Sequence, residues 1–135
     1  CADISMASDY ARIDNEAFRI LRANLPGPFT FILPASTKLP KVFKGRKTVG
    51  VRIPGNAIAT EISRRLGGPI LTTSIKWDED IPEDGCEPLA IATRYENDID
   101  LMVDGGTGDI IPSTIVDLLD SSSPEIIREG KGELE

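Results

Sequence analysis

Apolar residues in this chain recur at helical spacing in some stretches and form short β-branched runs in others, and the two patterns alternate. Asp3 is placed to cap a helix from Ile4 to Tyr10, and Asp14 a second helix through Asn24. In the second, Ala17, Phe18, Leu21 and Leu25 fall on one face. Pro26-Gly27-Pro28 ends it, because proline cannot continue the hydrogen-bond ladder. Phe29 to Leu33 reads as a buried strand. Residues 35–47 are polar and lysine-rich, a loop with one short turn. Thr48 to Ile53 is a second strand. Asn56 caps a helix to Leu66, with Ile58, Ala59, Ile62 and Leu66 as its apolar face and Gly67-Gly68 as its stop.

The remaining elements are shorter. Ile70 to Thr73 reads as a strand, Pro88 opens a helix to about Tyr95, and Leu101 to Val103 reads as a short strand before a turn at Gly105, Gly106 and Gly108. Ser113 to Leu118 and Ile126 to Arg128 complete the strands. Alternation of this kind predicts an α/β domain, a sheet flanked by helices. Between Lys76 and Glu87 the chain is acidic and reads as a surface loop. Its carboxylates from Asp78 to Asp84 lack calcium-loop spacing, and a solvated charged loop is the plainer reading than a metal site.

Composition narrows the function classes. The 135 residues predict one domain, and 40% apolar with 27% charged residues is ordinary for a globular protein. Fifteen basic against 22 acidic residues give a net charge of −7, which disfavours polynucleotide binding by the surface as a whole but not by a local basic patch. There is no histidine, which removes Ser-His and Cys-His catalysis and His-ligated metals from the chain. Cys1 and Cys86 match no metal or redox spacing, so incidental thiols in a reduced, cytoplasmic protein are expected. No apolar run approaches the ~20 residues of a membrane span. Opening on Cys1 in helix-like sequence, the chain is expected to be the C-terminal portion of a longer domain.

The candidate chemistry lies at strand ends. Thr30 follows Pro-Gly-Pro-Phe, and its hydroxyl suits an adenine edge or a phosphate, although β-propensity alone explains a strand threonine. Arg52 ends the Val-Gly-Val-Arg-Ile-Pro run and offers a fork of donors to a carboxylate or phosphate, or to a structural acid. Thr72 and Ser74 would share a face at the end of a strand, where open α/β sheets hold ligands, or else cap the next turn. Ser113 follows Pro112 and a glycine-rich turn that lacks both dinucleotide and P-loop signatures. Arg128 could face phosphate charge or pair with Glu129 or Glu133.

Taken in order, Leu25-Pro-Gly-Pro-Phe-Thr30, Val49-Gly-Val-Arg-Ile-Pro54, Gly67-Gly-Pro-Ile-Leu-Thr-Thr-Ser74, Pro112-Ser-Thr-Ile-Val-Asp-Leu118 and Arg128-Glu-Gly130 resemble the threonylcarbamoyl-AMP synthase (YrdC-like) family. The helix around Asp14 to Arg19, and the residues after Ser74, look closer to its YciO branch. The resemblance implies a twisted mixed β-sheet flanked by helices (YrdC/RibB-like) around a deep cavity. It also implies a reaction in which L-threonine, bicarbonate and ATP give threonylcarbamoyl-adenylate and pyrophosphate, for t6A modification of tRNA. The threonine amine captures CO2 as a carbamate, whose oxygen attacks the α-phosphorus. Such chemistry rests on positioning and charge neutralisation, for which arginines, hydroxyls and Mg2+ suffice.

By the same resemblance, Thr30, Ser74 and Arg128 correspond to nucleotide-binding positions, and Arg52, Thr72 and Ser113 to positions near the threonine. No catalytic side chain and no protein metal ligand is assigned. The chain departs from the family pattern in two ways. The opening lysine/arginine motif that grips the triphosphate would lie upstream of Cys1. Ser74 is followed by Ile75-Lys76 where synthases continue Ser-Ala-Asn, which suits a YciO-like nucleotide-binding paralogue with weak or different activity. The alternative is a non-catalytic RNA- or ribosome-associated module of the same fold, with tRNA or double-stranded RNA as its partner.

Overall fold

The structure, a computed structural model, describes residues 1–77 and 85–135. The acidic run from Asp78 to Asp84 lies outside the described residues. The chain divides into two compact units, Cys1–Ile70 with Pro112–Glu135, and Leu71–Ile111.

The first unit is built on a mixed four-stranded sheet. In chain order its elements are α1 (Ile4–Tyr10), α2 (Asn15–Asn24), β1 (Phe29–Pro34), a single 3-10 turn (Lys41–Phe43), β2 (Thr48–Val51), α3 (Ala57–Leu66), β3 (Thr114–Asp117) and β4 (Glu125–Arg128). The sheet order is β2-β1-β3-β4. β1 runs antiparallel to β2 and parallel to β3, and β4 returns antiparallel to β3.

Register divides the sheet into two faces. Phe31 pairs with both Val51 and Val116, Leu33 with Val49, and Phe29 with Thr114. All of these are buried, and their apolar members form one core with Ala7, Ala11, Ala17, Leu21 and Leu25 of the first two helices and their flanks. This is the period-2 alternation of a sheet covered on one side. The opposite face carries Thr30, Ile32, Gly50, Ile115, Asp117 and Arg128, each half-buried or exposed.

The predicted caps hold. Asp3 accepts from the Met6 amide, Asp14 from Ala17 and Asn56 from Ala59. Gly67 ends α3 in the left-handed conformation, φ 75°, which a glycine adopts without a Cβ penalty. The predicted apolar face of α3 is not buried: Ile58, Ile62 and Leu66 are 42, 41 and 67% exposed, since helical spacing fixes which side chains share a face but not what covers it. The helix instead buries Ser63, whose hydroxyl donates to the Gly68 carbonyl at 2.8 Å and reaches Met6 Sδ at 3.3 Å.

The second unit contains α4 (Pro88–Tyr95), opened by proline as expected. Ile70 to Thr73 and Leu101 to Val103 are not strands. Strand composition makes a strand only where a neighbour pairs with it, and among the described residues neither segment has strand pairing.

Candidate functional site

The site residues of the first unit converge on the uncovered sheet face. Thr30 pairs with Ile115, and Ile115 with Arg128, so the three stand in one row across β1, β3 and β4. The β1–β2 register, carried one residue past Val51, places Arg52 opposite Thr30 at the other end of that row. A bulge between Ile115 and Val116 sits beside Arg128, where it re-aims the strand.

Ser113, one residue before β3, ties the row together. Its Oγ lies 3.3 Å from Thr30 Oγ1. Arg128 donates from Nη2 (2.7 Å) and Nε (3.2 Å) to the Ser113 carbonyl, and from Nη2 to Ser113 Oγ at 3.3 Å. The Arg128 guanidinium is therefore oriented by backbone, and among the described residues no carboxylate pairs with it. Neither Glu129 nor Glu133 pairs with it. Five N–H donors belong to an arginine, so the two on Nη1 are left for a ligand. Arg52 likewise has no ion pair among the described residues. Two cationic forks and two hydroxyls on one open face suit an anion with hydrogen-bonding edges.

Sequence reasoning missed the anchor of this cluster. Thr114 is 1% exposed, and its Oγ1 donates to the Gly132 carbonyl at 2.6 Å while accepting from the amides of Gly130 and Gly132, each at 3.0 Å. It pins the turn after β4 to the start of β3, and the Lys131 amide adds a bond to the Pro112 carbonyl at 2.8 Å. Both glycines are sterically required. A Cβ on Gly130 would stand 2.6 Å from the Ser113 carbonyl carbon, and one on Gly132 2.6 Å from the Phe29 ring. The Arg-Glu-Gly motif, read as a phosphate contact, is equally a clasp holding Arg128 over Ser113.

Thr72 and Ser74 belong to the second unit, where both are exposed in irregular backbone. Ser74 lines a cleft of about 800 Å3 there, with Cys86, Ile91, Tyr95, Met102 and Gly106 among its other walls. In the first unit, a cleft of about 520 Å3 runs along Phe18, Leu25, Ile53 and the start of α3, and none of the six site residues lines it. Among the described residues no group of three or more acidic or cysteine side chains could hold a metal ion, and no helix is long and apolar enough to cross a membrane.

The fold and the shared motifs define the class: residues 1–130 match the sequence profile of the Sua5/YciO/YrdC family, described as telomere recombination, and the chain belongs to that family. It is 41% identical over 134 residues to a Haemophilus influenzae protein described as uncharacterized, covering 98% of this chain and 64% of that one. It is 32% identical over 105 residues to the threonylcarbamoyl-AMP synthase of Halorhodospira halophila, covering 76% and 53%. Among solved structures, Escherichia coli YciO superposes with a TM-score of 0.85 at 37% identity, over 98% of this chain and 65% of that one. P. abyssi Sua5 complexed with L-threonine gives 0.74 at 27% identity, over 95% and 38%. The chain thus spans just under two thirds of the length of the H. influenzae protein and of YciO.

Proposed function

We propose that the uncovered sheet face of the first unit is the floor of a nucleotide site of the threonylcarbamoyl-adenylate type. ATP is the substrate, and a small amino acid such as L-threonine is its partner. The observation that carries this reading is the convergence of Thr30, Ser113 and the backbone-held Arg128, with Arg52 at the far end of the same row. A relative named threonylcarbamoyl-AMP synthase, and a Sua5 structure complexed with L-threonine, support the choice of ligand.

In this reading Arg128 spends its free Nη1 edge on phosphate oxygens, and Thr30 meets the nucleotide through its hydroxyl. Arg52 takes the amino-acid carboxylate, and Ser113, placed near the threonine by the resemblance, also touches both nucleotide contacts, Thr30 and Arg128. Thr72 and Ser74 enter on the resemblance alone. The described residues form no acidic cage, so Mg2+ would arrive on the triphosphate and keep most of its own waters. Rate enhancement would come from holding a carbamate oxygen in line with the α-phosphorus and neutralising charge on the leaving pyrophosphate. Ile75-Lys76, in place of Ala-Asn after Ser74, favours nucleotide binding with weak turnover.

The test is calorimetric titration of ATP into the full translated product, with and without L-threonine and bicarbonate. Binding strengthened by threonine supports the synthase-type site. Binding indifferent to threonine keeps the nucleotide and replaces the second substrate. Absence of ATP binding overturns the proposal.

A further inference from the structure

Gly50 stands on the open sheet face at a position where the backbone does not ask for glycine. β2 alternates, so Val49 and Val51 enter the core while Thr48, Gly50 and, one residue past the strand, Arg52 take the uncovered side. Its φ is not in the left-handed region, unlike those of Gly45, Gly67 and Gly106. Glycine weakens a strand interior, and it often marks a place where a ligand or another backbone comes close. Gly50 is exposed. A Cβ there would meet Thr30 Cγ2 at 3.2 Å and, its chain neighbours aside, no other atom of the described residues within 4 Å.

Thr30 divides this face in two. Its Oγ1 lies 3.3 Å from Ser113 Oγ, on the side of Arg128, whereas its methyl is turned toward Gly50. The Ser113 side is polar and cationic. The Gly50 side is a shallow apolar hollow, walled by the Thr30 methyl and by Ile32, which pairs with Gly50, and open toward Arg52. Arg52 is two residues along the chain from Gly50, about 7 Å by the strand rise. A small ligand whose carboxylate meets that guanidinium can lay its carbon end over the bare backbone of Gly50.

We propose that Gly50 is the specificity-determining residue of the amino-acid site: the side chain of the second substrate lies against its backbone, and the hollow admits small uncharged side chains only. This inference rests on the nucleotide and amino-acid reading above and adds what selects the amino acid. One methyl on the floor takes the room of one methyl on the ligand, a difference worth about 10–200-fold in an apolar pocket. Room for the Thr30 methyl is the plainer reason for a glycine here. The two reasons differ in what deleting that methyl would restore.

The experiment measures glycine and L-threonine binding by calorimetry at saturating ATP and bicarbonate. The proteins are the wild-type full translated product, Gly50→Ala, and Gly50→Ala/Thr30→Ser. The readout is the ratio of glycine to threonine affinity, which a general weakening of the site leaves unmoved. Gly50→Ala should shift that ratio toward glycine by about tenfold or more. Thr30→Ser keeps the hydroxyl and deletes the methyl that the new Cβ crowds. The double variant should therefore recover melting temperature while its ratio stays shifted. Three outcomes overturn the proposal: an unshifted ratio in Gly50→Ala, a ratio that returns to the wild-type value in the double variant, or no binding of either amino acid by a wild type that binds ATP. A wild type that binds no ATP would instead remove the nucleotide reading, and this inference with it.

Discussion

Arg128 Nη2 sits 2.7 Å from the carbonyl oxygen of Ser113, so the last strand's arginine is fixed by the backbone of the strand beside it. A side chain held in this way loses little further entropy on meeting a ligand, which is what a preorganised anion site requires. Arg128→Ala should weaken ATP binding by about 1–3 kcal/mol, the range for losing a charge-assisted contact. Arg128→Lys should recover only part of it, because an ammonium cannot bond Ser113 and a phosphate through one planar fork. Titration calorimetry of both variants checks this, and equal affinities for wild type and alanine would remove Arg128 from the site.

Thr114 is the hidden support of that arrangement. Thr114→Val keeps shape and volume but strands the amides of Gly130 and Gly132 without their acceptor. A buried donor left unpaired costs about 1–3 kcal/mol, so a loss of about 3 kcal/mol is expected in urea denaturation. Slope should be unchanged, as the exposed area on unfolding is the same. A valine variant as stable as wild type would show that the clasp contributes nothing to folding.

Gly130 tests the link between clasp and site. A methyl group there meets the carbonyl carbon and oxygen of Ser113 at 2.6 and 2.7 Å, so Gly130→Ala must push the turn away from the residue that orients Arg128. Overpacking of this kind typically costs about 1–3 kcal/mol. ATP affinity should fall along with stability. Gly45→Ala, at a left-handed position with open space around it, should cost stability without touching ATP affinity. Equal ATP affinities in the two variants would separate the clasp from the site.

What the sequence disclosed and what it hid divide along local and non-local physics. Asp3, Asp14, Asn56 and Gly67 act within one turn of their own helices, and their caps are readable from neighbours alone. Alternating burial along Phe29–Pro34 and Thr114–Asp117 follows from the apolar runs in the same way. Motif order brings Thr30, Arg52, Ser113 and Arg128 forward as candidates, but only pairing across strands sets them in a row. Thr114 is invisible as an anchor because its partners lie 16 and 18 residues away. Ile70 to Thr73 has the composition of a strand and pairs with no strand among the described residues. The apolar stripe of α3 is there as a stripe, and its burial depends on a neighbour that a helical period cannot supply.

Asp14 gives a pH-dependent test of how the hairpin is held to the helix layer. The Ala17 amide and then the Ser121 hydroxyl, donating to its two oxygens, hold its carboxyl below the ordinary carboxylate range. A folded-state pKa lowered in this way adds stability that is complete above the unfolded-state value and is lost as pH falls through the folded one. An asparagine side chain at this position would still cap α2, since its amide oxygen accepts from the same backbone N–H. Asp14→Asn should therefore unfold at a lower temperature than wild type at neutral pH, and the gap should close as pH drops below about 4, where aspartates protonate. Ser121→Ala should remove part of the same gap, because it deletes the weaker of the two donors while leaving the cap intact. Melting temperatures from pH 7 to 3 decide it. A wild-type advantage that stays constant across that range would mean that the charge on Asp14 plays no part in joining α2 to the β3–β4 turn.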